Sequence, residues 1–186
     1  MACFSFCRLS FLLIIVFSWN STVNSWNQPY DYVSVAVNNY PGRLFKTDLK
    51  LIGREKAING TIEFVEDIPN KIFGSVSVYS DAGTSGFKLM PLEVPPMPFC
   101  DVIRLYYDRF LEGSLIPGVN TDLDLEGGTV CPIPKGKYYI KKMMLDTSGW
   151  AVTSPRGLIK VKLNMLDKEE FVGGMESVVE IKDKIY

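Results

Sequence analysis

The chain has 186 residues, 20 of them basic and 21 acidic, for a formal net charge of −1. It contains no histidine, which excludes Ser-His-Asp and Cys-His catalysis and histidine-ligated zinc together. The near-neutral balance offers nothing for nucleic acid to bind, and no cofactor is expected.

One charge, Arg8, precedes an uninterrupted apolar run from Phe11 to Phe17 and the small-residue pattern Val23-Asn24-Ser25. This is the layout of a secretory signal peptide, and the run is too short to span a bilayer. Cleavage after Ser25 is expected, which leaves 26–186 as one domain of 186 − 25 = 161 residues with room for a sizeable core. Loss of Arg8 makes the balance 20 − 1 = 19 basic against 21 acidic residues. No later stretch approaches the roughly 20 apolar residues of a membrane helix, so an exported, extracellular protein is expected. Cys3 and Cys7 leave with the signal, so Cys100 and Cys131 remain as the only pair in an oxidising compartment and are expected to form a disulfide. Asn59-Gly60-Thr61 is a glycosylation sequon on a strand or its edge; Asn20-Ser21-Thr22 falls within the segment expected to be removed.

Taken in order, Tyr32 to Val37 reads as a short strand rich in β-branched residues. After the turn Asn39-Tyr40-Pro41-Gly42, Phe45 to Ile52 alternates Leu49 and Leu51 against Lys46, Asp48 and Lys50. The next strand puts Ile58, Gly60, Ile62 and Phe64 on one face, with Asn59, Thr61 and Glu63 on the other. Ile72 to Tyr79 follows, with Ile72, Val76 and Val78 opposite Phe73 and Tyr79. Residues 81–86 form a turn into a return strand from Phe87 to Met90. That turn lacks the Gly-Lys-Ser/Thr ending of a phosphate cradle. Pro91 to Pro98, with four prolines, excludes a central strand and marks the passage into a helix.

From Pro98 to Gly113, Phe99, Ile103, Tyr106, Tyr107 and Phe110 recur at helical spacing, which predicts an amphipathic helix ended by a left-handed Gly113. Ser114 to Val130 is a long loop, its apolar residues Leu115, Ile116, Pro117 and Val119 suited either to a transient lipid or membrane contact or to folding back onto the core. Asp122, Asp124 and Glu126 resemble half a calcium loop, but Ile133 stands where the closing glutamate belongs, so a solvated edge and no metal are expected. Strands from Lys137 to Leu145, from Ile159 to Met165 and from Met175 to Ile181 complete the chain. Eight or nine strands with one helix predict an all-β fold, an antiparallel two-sheet sandwich or cup.

Phe99-Cys100-Asp101-Val102, then Cys131-Pro132-x-x-Lys135-Gly136-x-Tyr138, then a terminal hairpin entered through Pro155-Arg156-Gly157, resembles the ganglioside activator protein family and its insect relatives of the chemosensory B type, within the wider ML lipid-recognition group. The resemblance runs from Phe99 to about Lys182. It implies an immunoglobulin-like β-cup whose sheets splay to hold an acyl chain, and a family disulfide matched by Cys100 and Cys131. The chain lacks the other cysteines of the vertebrate activators, which favours the insect chemosensory or carrier branch over a lysosomal role.

The function expected is therefore a non-enzymatic, secreted lipid-binding protein that holds and presents a hydrophobic ligand, its partners being that ligand and a receptor or glycolipid hydrolase. Candidate lining residues are Ile62, Phe64, Val76, Val78, Phe87, Leu89, Leu115 and Ile116. The alternative is a secreted interaction module with a filled core and no cavity.

Overall fold

The computed structural model describes residues 29–83, 86–151 and 153–185; the expected signal peptide lies outside them, as do Thr84 and Ser85 of the predicted turn. Among the described residues, eight strands and one α-helix follow in the order β1 (Tyr30–Tyr40), β2 (Phe45–Ile52), β3 (Ala57–Phe64), β4 (Ile72–Asp81), β5 (Lys88–Pro98), α1 (Phe99–Phe110), β6 (Gly136–Met143), β7 (Gly157–Asp167) and β8 (Glu170–Asp183). Two antiparallel sheets result, one of five strands in the order β1-β8-β7-β4-β5 and one of three in the order β2-β3-β6. The protein is an all-β sandwich with one helix.

Alternation determines which face each strand turns inward. On β7 the apolar set Ile159, Val161, Leu163 and Met165 shares one side while Lys160, Lys162 and Asn164 take the other. Register carries that division across the sheet, since Val94, Val76, Leu163 and Met175 stand in one row and Val78, Val161, Ser177 and Val37 in the next.

β1 and β8 run beyond the expected Tyr32–Val37 and Met175–Ile181 at both ends, and two further elements depart from the sequence-based expectation. The return strand does not stop at Met90 but runs through the prolines to Pro98. It is the outermost strand of the five, where a missing ladder donor is tolerated, and its pairing with β4 slips twice. The helix ends at Phe110 with Leu111 as its right-handed C-cap, and Gly113 has no positive φ. Its glycine answers a different need, because a Cβ there would lie 2.0 Å from Asp146 Oδ2.

The main core joins both sheets to the helix. Phe45 and Phe64 stack 5.4 Å apart, and Ile68, Ile133, Met165 and Val172 are fully buried around them with Phe99, Val102 and Ile103 of α1. Each fully buried aliphatic or aromatic side chain contributes about 1.5–3 kcal/mol. At the far end of the five-stranded sheet a second cluster packs Tyr30, Ile159, Val179 and Ile181 beneath Leu145 and Trp150 of the β6–β7 connection. Phe110, predicted on the buried face of the helix, is exposed, with the Arg109 guanidinium 5.4 Å above its ring.

Candidate functional site

The inner face of the five-stranded sheet is covered unevenly. At one end α1 closes over β4, with Phe99 and Val102 directly above Gly74. At the other end Leu145 and Trp150 lie against the second cluster. Between them Val76, Val78, Val161 and Leu163 belong to strands flanked on both sides, point inward, and are still partly accessible. From the three-stranded sheet Ile62 and Tyr138, and from the helical segment Tyr106 and Leu111, pack against the same core and are likewise only partly buried. The inside of the sandwich thus presents an apolar lining that its own side chains do not fully cover. Two hydroxyls on these inward faces, Thr47 Oγ1 and Ser177 Oγ, are buried without a hydrogen-bond partner among the described residues. Most buried polar atoms have a partner, so both are unusual.

The sequence-predicted lining residues separate into three groups. Ile62, Val76 and Val78 line the interior and are partly accessible, while Phe64 is buried in the core. Leu115 is also buried, at 8 % exposure, against Leu49, Ile58 and Ile140. Phe87 and Leu89 are elsewhere: Leu89 pairs with Tyr79, and the Lys160 ammonium lies 4.2 Å from the Phe87 ring, which puts both on the outer face of the large sheet. Ile116, 43 % exposed, is on the surface beside its buried neighbour. Residues that the sequence reading left out of the lining, Leu163, Val161 and Val94, join Val76 and Val78 through register; the clean alternation of β7 already marked the first two.

Cys100 and Cys131 are bonded, tying the first turn of α1 to the segment before β6. The words around them serve the architecture. Ile68 and Ile133 exchange backbone hydrogen bonds of 2.8 and 3.1 Å, Asp67 Oδ1 accepts the Lys135 amide at 2.7 Å, and the Tyr138 hydroxyl donates to the Pro134 carbonyl at 3.0 Å. The acidic loop is also used internally. Asp122 Oδ1 accepts the Tyr139 amide along the free edge of β6, and Asp124 Oδ1 accepts the Glu126 amide in a local turn. No cluster of three or more potential metal ligands occurs among the described residues. Asn59 lies on the outer face of β3 opposite β6, its Oδ1 accepting the Lys142 amide at 3.3 Å.

Three phenols titrate high. Burial raises the pKa of Tyr32, against an opposing hydrogen bond to the Leu145 carbonyl and with Asp146 adding to the rise. Burial does the same for Tyr107, helped by Asp124, Glu112 and Asp108, and for Tyr138, helped by Asp122 and Asp67. All three are neutral hydroxyls at physiological pH, donating to the Leu145, Leu115 and Pro134 carbonyls.

Two surface clefts lie outside the sandwich. One, of about 480 Å³, is bounded by Ile116, Val119, Asn120, Lys141, Lys142 and Met144; the other, of about 230 Å³, lies over the disulfide between Asp101, Arg104 and Thr129. No helix among the described residues is long and apolar enough to cross a membrane. No match was found among curated proteins. From Gly74 in β4 to Val161 in β7, residues 74–161, the chain is similar to a family described as a protein of unknown function (DUF1091).

Proposed function

We propose that this protein is a secreted, non-enzymatic carrier that holds a lipid or similar hydrophobic molecule between its two sheets and presents it to a receptor or hydrolase. The observation that carries the reading is the partial accessibility of Val76, Val78, Val161 and Leu163 on strands flanked on both sides. In a filled sandwich such positions are the most deeply buried. An alkyl chain against them would gain about 0.8 kcal/mol per buried methylene. The resemblance to the ML lipid-recognition group and its chemosensory B type supports the same reading, and its words, from Phe99 to Tyr138, fall within the matched span 74–161. A chain without histidine, whose loop aspartates Asp122 and Asp124 are taken up by backbone amides, favours binding over catalysis.

The test is native mass spectrometry of the secreted protein, followed by organic extraction and exposure to mixed lipids. A bound lipid at one-to-one stoichiometry, with a melting temperature that rises as lipid is added, is expected. A clean protein mass and no uptake would move the function to an interaction module with a filled interior.

A further inference from the structure

Lys141 and Lys142 stand together opposite Asn59, where the pairing of β3 with β6 slips between Ile58 and Gly60. Of the four non-glycine residues with positive φ among the described residues, Lys142, at 50°, is the one inside a strand. A bulge of this kind re-aims side chains, and a strained residue held in place at such a point is a mark of use. Here it brings two consecutive lysines to the lining of the 480 Å³ cleft. Neither has a carboxylate at ion-pair distance among the described residues; Lys141 Nζ lies 5.9 Å from the Tyr139 ring.

The same cleft is lined by apolar side chains. Ile116, Val119 and Met144 are 43, 69 and 42 % exposed. The loop does not leave them loose: Asn120 accepts the Ile116 amide at its Oδ1 and donates from Nδ2 to the Ser114 carbonyl, both at 2.8 Å. Its own carbonyl accepts the Lys141 amide at 2.7 Å, clamping the loop to the lysine strand. Unpaired lysines and uncovered hydrocarbon thus line one cleft, in a space within the range of about 300–1,000 Å³ usual for ligand sites.

We propose that this cleft is a second binding site, separate from the interior of the sandwich, for a small dissolved anionic amphiphile: an alkyl chain along Ile116, Val119 and Met144 and a carboxylate or phosphate on Lys141 and Lys142. An open cleft of this size accommodates one short chain along its apolar residues.

Isothermal titration of the secreted full-length protein with decanoate, decanol and decyltrimethylammonium tests it, with phosphatidylserine vesicles as a further arm. Decanoate should bind in preference to both other probes. Lys141→Gln with Lys142→Gln should weaken it about ten-fold or more, as expected for loss of charge-assisted contacts, while the melting temperature holds. Ile116→Asp should weaken it as well. With the interior closed by Val76→Trp, one decanoate site should remain, and the lysine substitutions should weaken that site. The proposal is overturned if decanoate does not bind, if the lysine variant binds it as well as the parent, if Val76→Trp abolishes binding, or if vesicles bind and decanoate does not.

Discussion

The side-chain amide of Asn39 behaves as a strand partner for Leu49: its Nδ2 donates to the Leu49 carbonyl at 2.9 Å and its Oδ1 accepts the Leu49 amide at 3.0 Å. Asn39 is near the end of β1 in the large sheet and Leu49 in the middle of β2 in the small one, so two hydrogen bonds join the sheets where the backbones do not pair. Asn39→Ala would leave a partly buried amide and carbonyl unmet and should cost about 1–3 kcal/mol. At roughly 2–4 °C per kcal/mol for a domain of this size, thermal unfolding will register it. Asn39→Asp, which sets a carboxylate oxygen against the Leu49 carbonyl, should cost at least as much as Asn39→Ala.

Gly74 sets how closely α1 approaches β4. A Cβ there would come within 2.5 Å of Phe99 Cδ2, inside any allowed contact. Gly74→Ala should therefore destabilise by about 1–3 kcal/mol through overpacking. Phe99→Leu should recover part of that loss in the double variant, and a double-mutant cycle by urea unfolding measures the coupling. Strictly additive losses would mean that the ring is not what the methyl displaces.

Much of this architecture is legible in the sequence, and the misses have physical causes. Alternation declares β7, β3 and the inward set of β4 because one face of each strand is apolar. Phe87 and Leu89, expected in the lining, face outward, and two slips in the β4–β5 pairing remove the count by which alternation on β4 could have told which way they point. Leu115 and Ile116 are neighbours with opposite fates, one buried against Leu49, Ile58 and Ile140 and one displayed, in a loop held by the Asn120 hydrogen bonds. The bridge between Ile68 and Ile133 joins segments too far apart for any local pattern to announce it. The Lys141–Lys142 bulge left no trace in hydropathy, since two lysines at the end of a strand read as ordinary solvation.

Alkaline solution should expose the buried phenols. Burial lifts Tyr32 above its ordinary 10.0, and Tyr107 and Tyr138 move the same way. A phenol with the higher pKa in the folded state favours folding while it is protonated. Its contribution is complete below the unfolded value and is lost as pH rises through the folded one. Stability measured by urea unfolding should fall as pH climbs above about 10, where unfolded tyrosines ionise first. Tyr32→Phe should make that decline shallower; an unchanged slope would assign the loss to other groups.

The interior and the outer sheet face make opposite forecasts for ligand uptake. Val76→Trp places an indole in the partly accessible row and should abolish uptake of a fluorescent fatty-acid probe with a long chain. Leu89→Ala, on the outer face at 56 % exposure, should leave it unchanged. Fluorescence titration of both variants beside the parent separates a binding interior from a binding surface.

β5 carries four prolines in eleven residues, at Pro91, Pro95, Pro96 and Pro98, and each removes a main-chain donor from an outermost strand. On the small sheet, residues 120–122 occupy the free side of β6 with main-chain and carboxylate acceptors. A foreign strand arriving at either border would find an incomplete ladder or none. At these two of the four sheet borders, encounters with other molecules are thereby steered away from β-augmentation and the polymerisation that can follow from it, which leaves β1 and β2 as the strands with a free side.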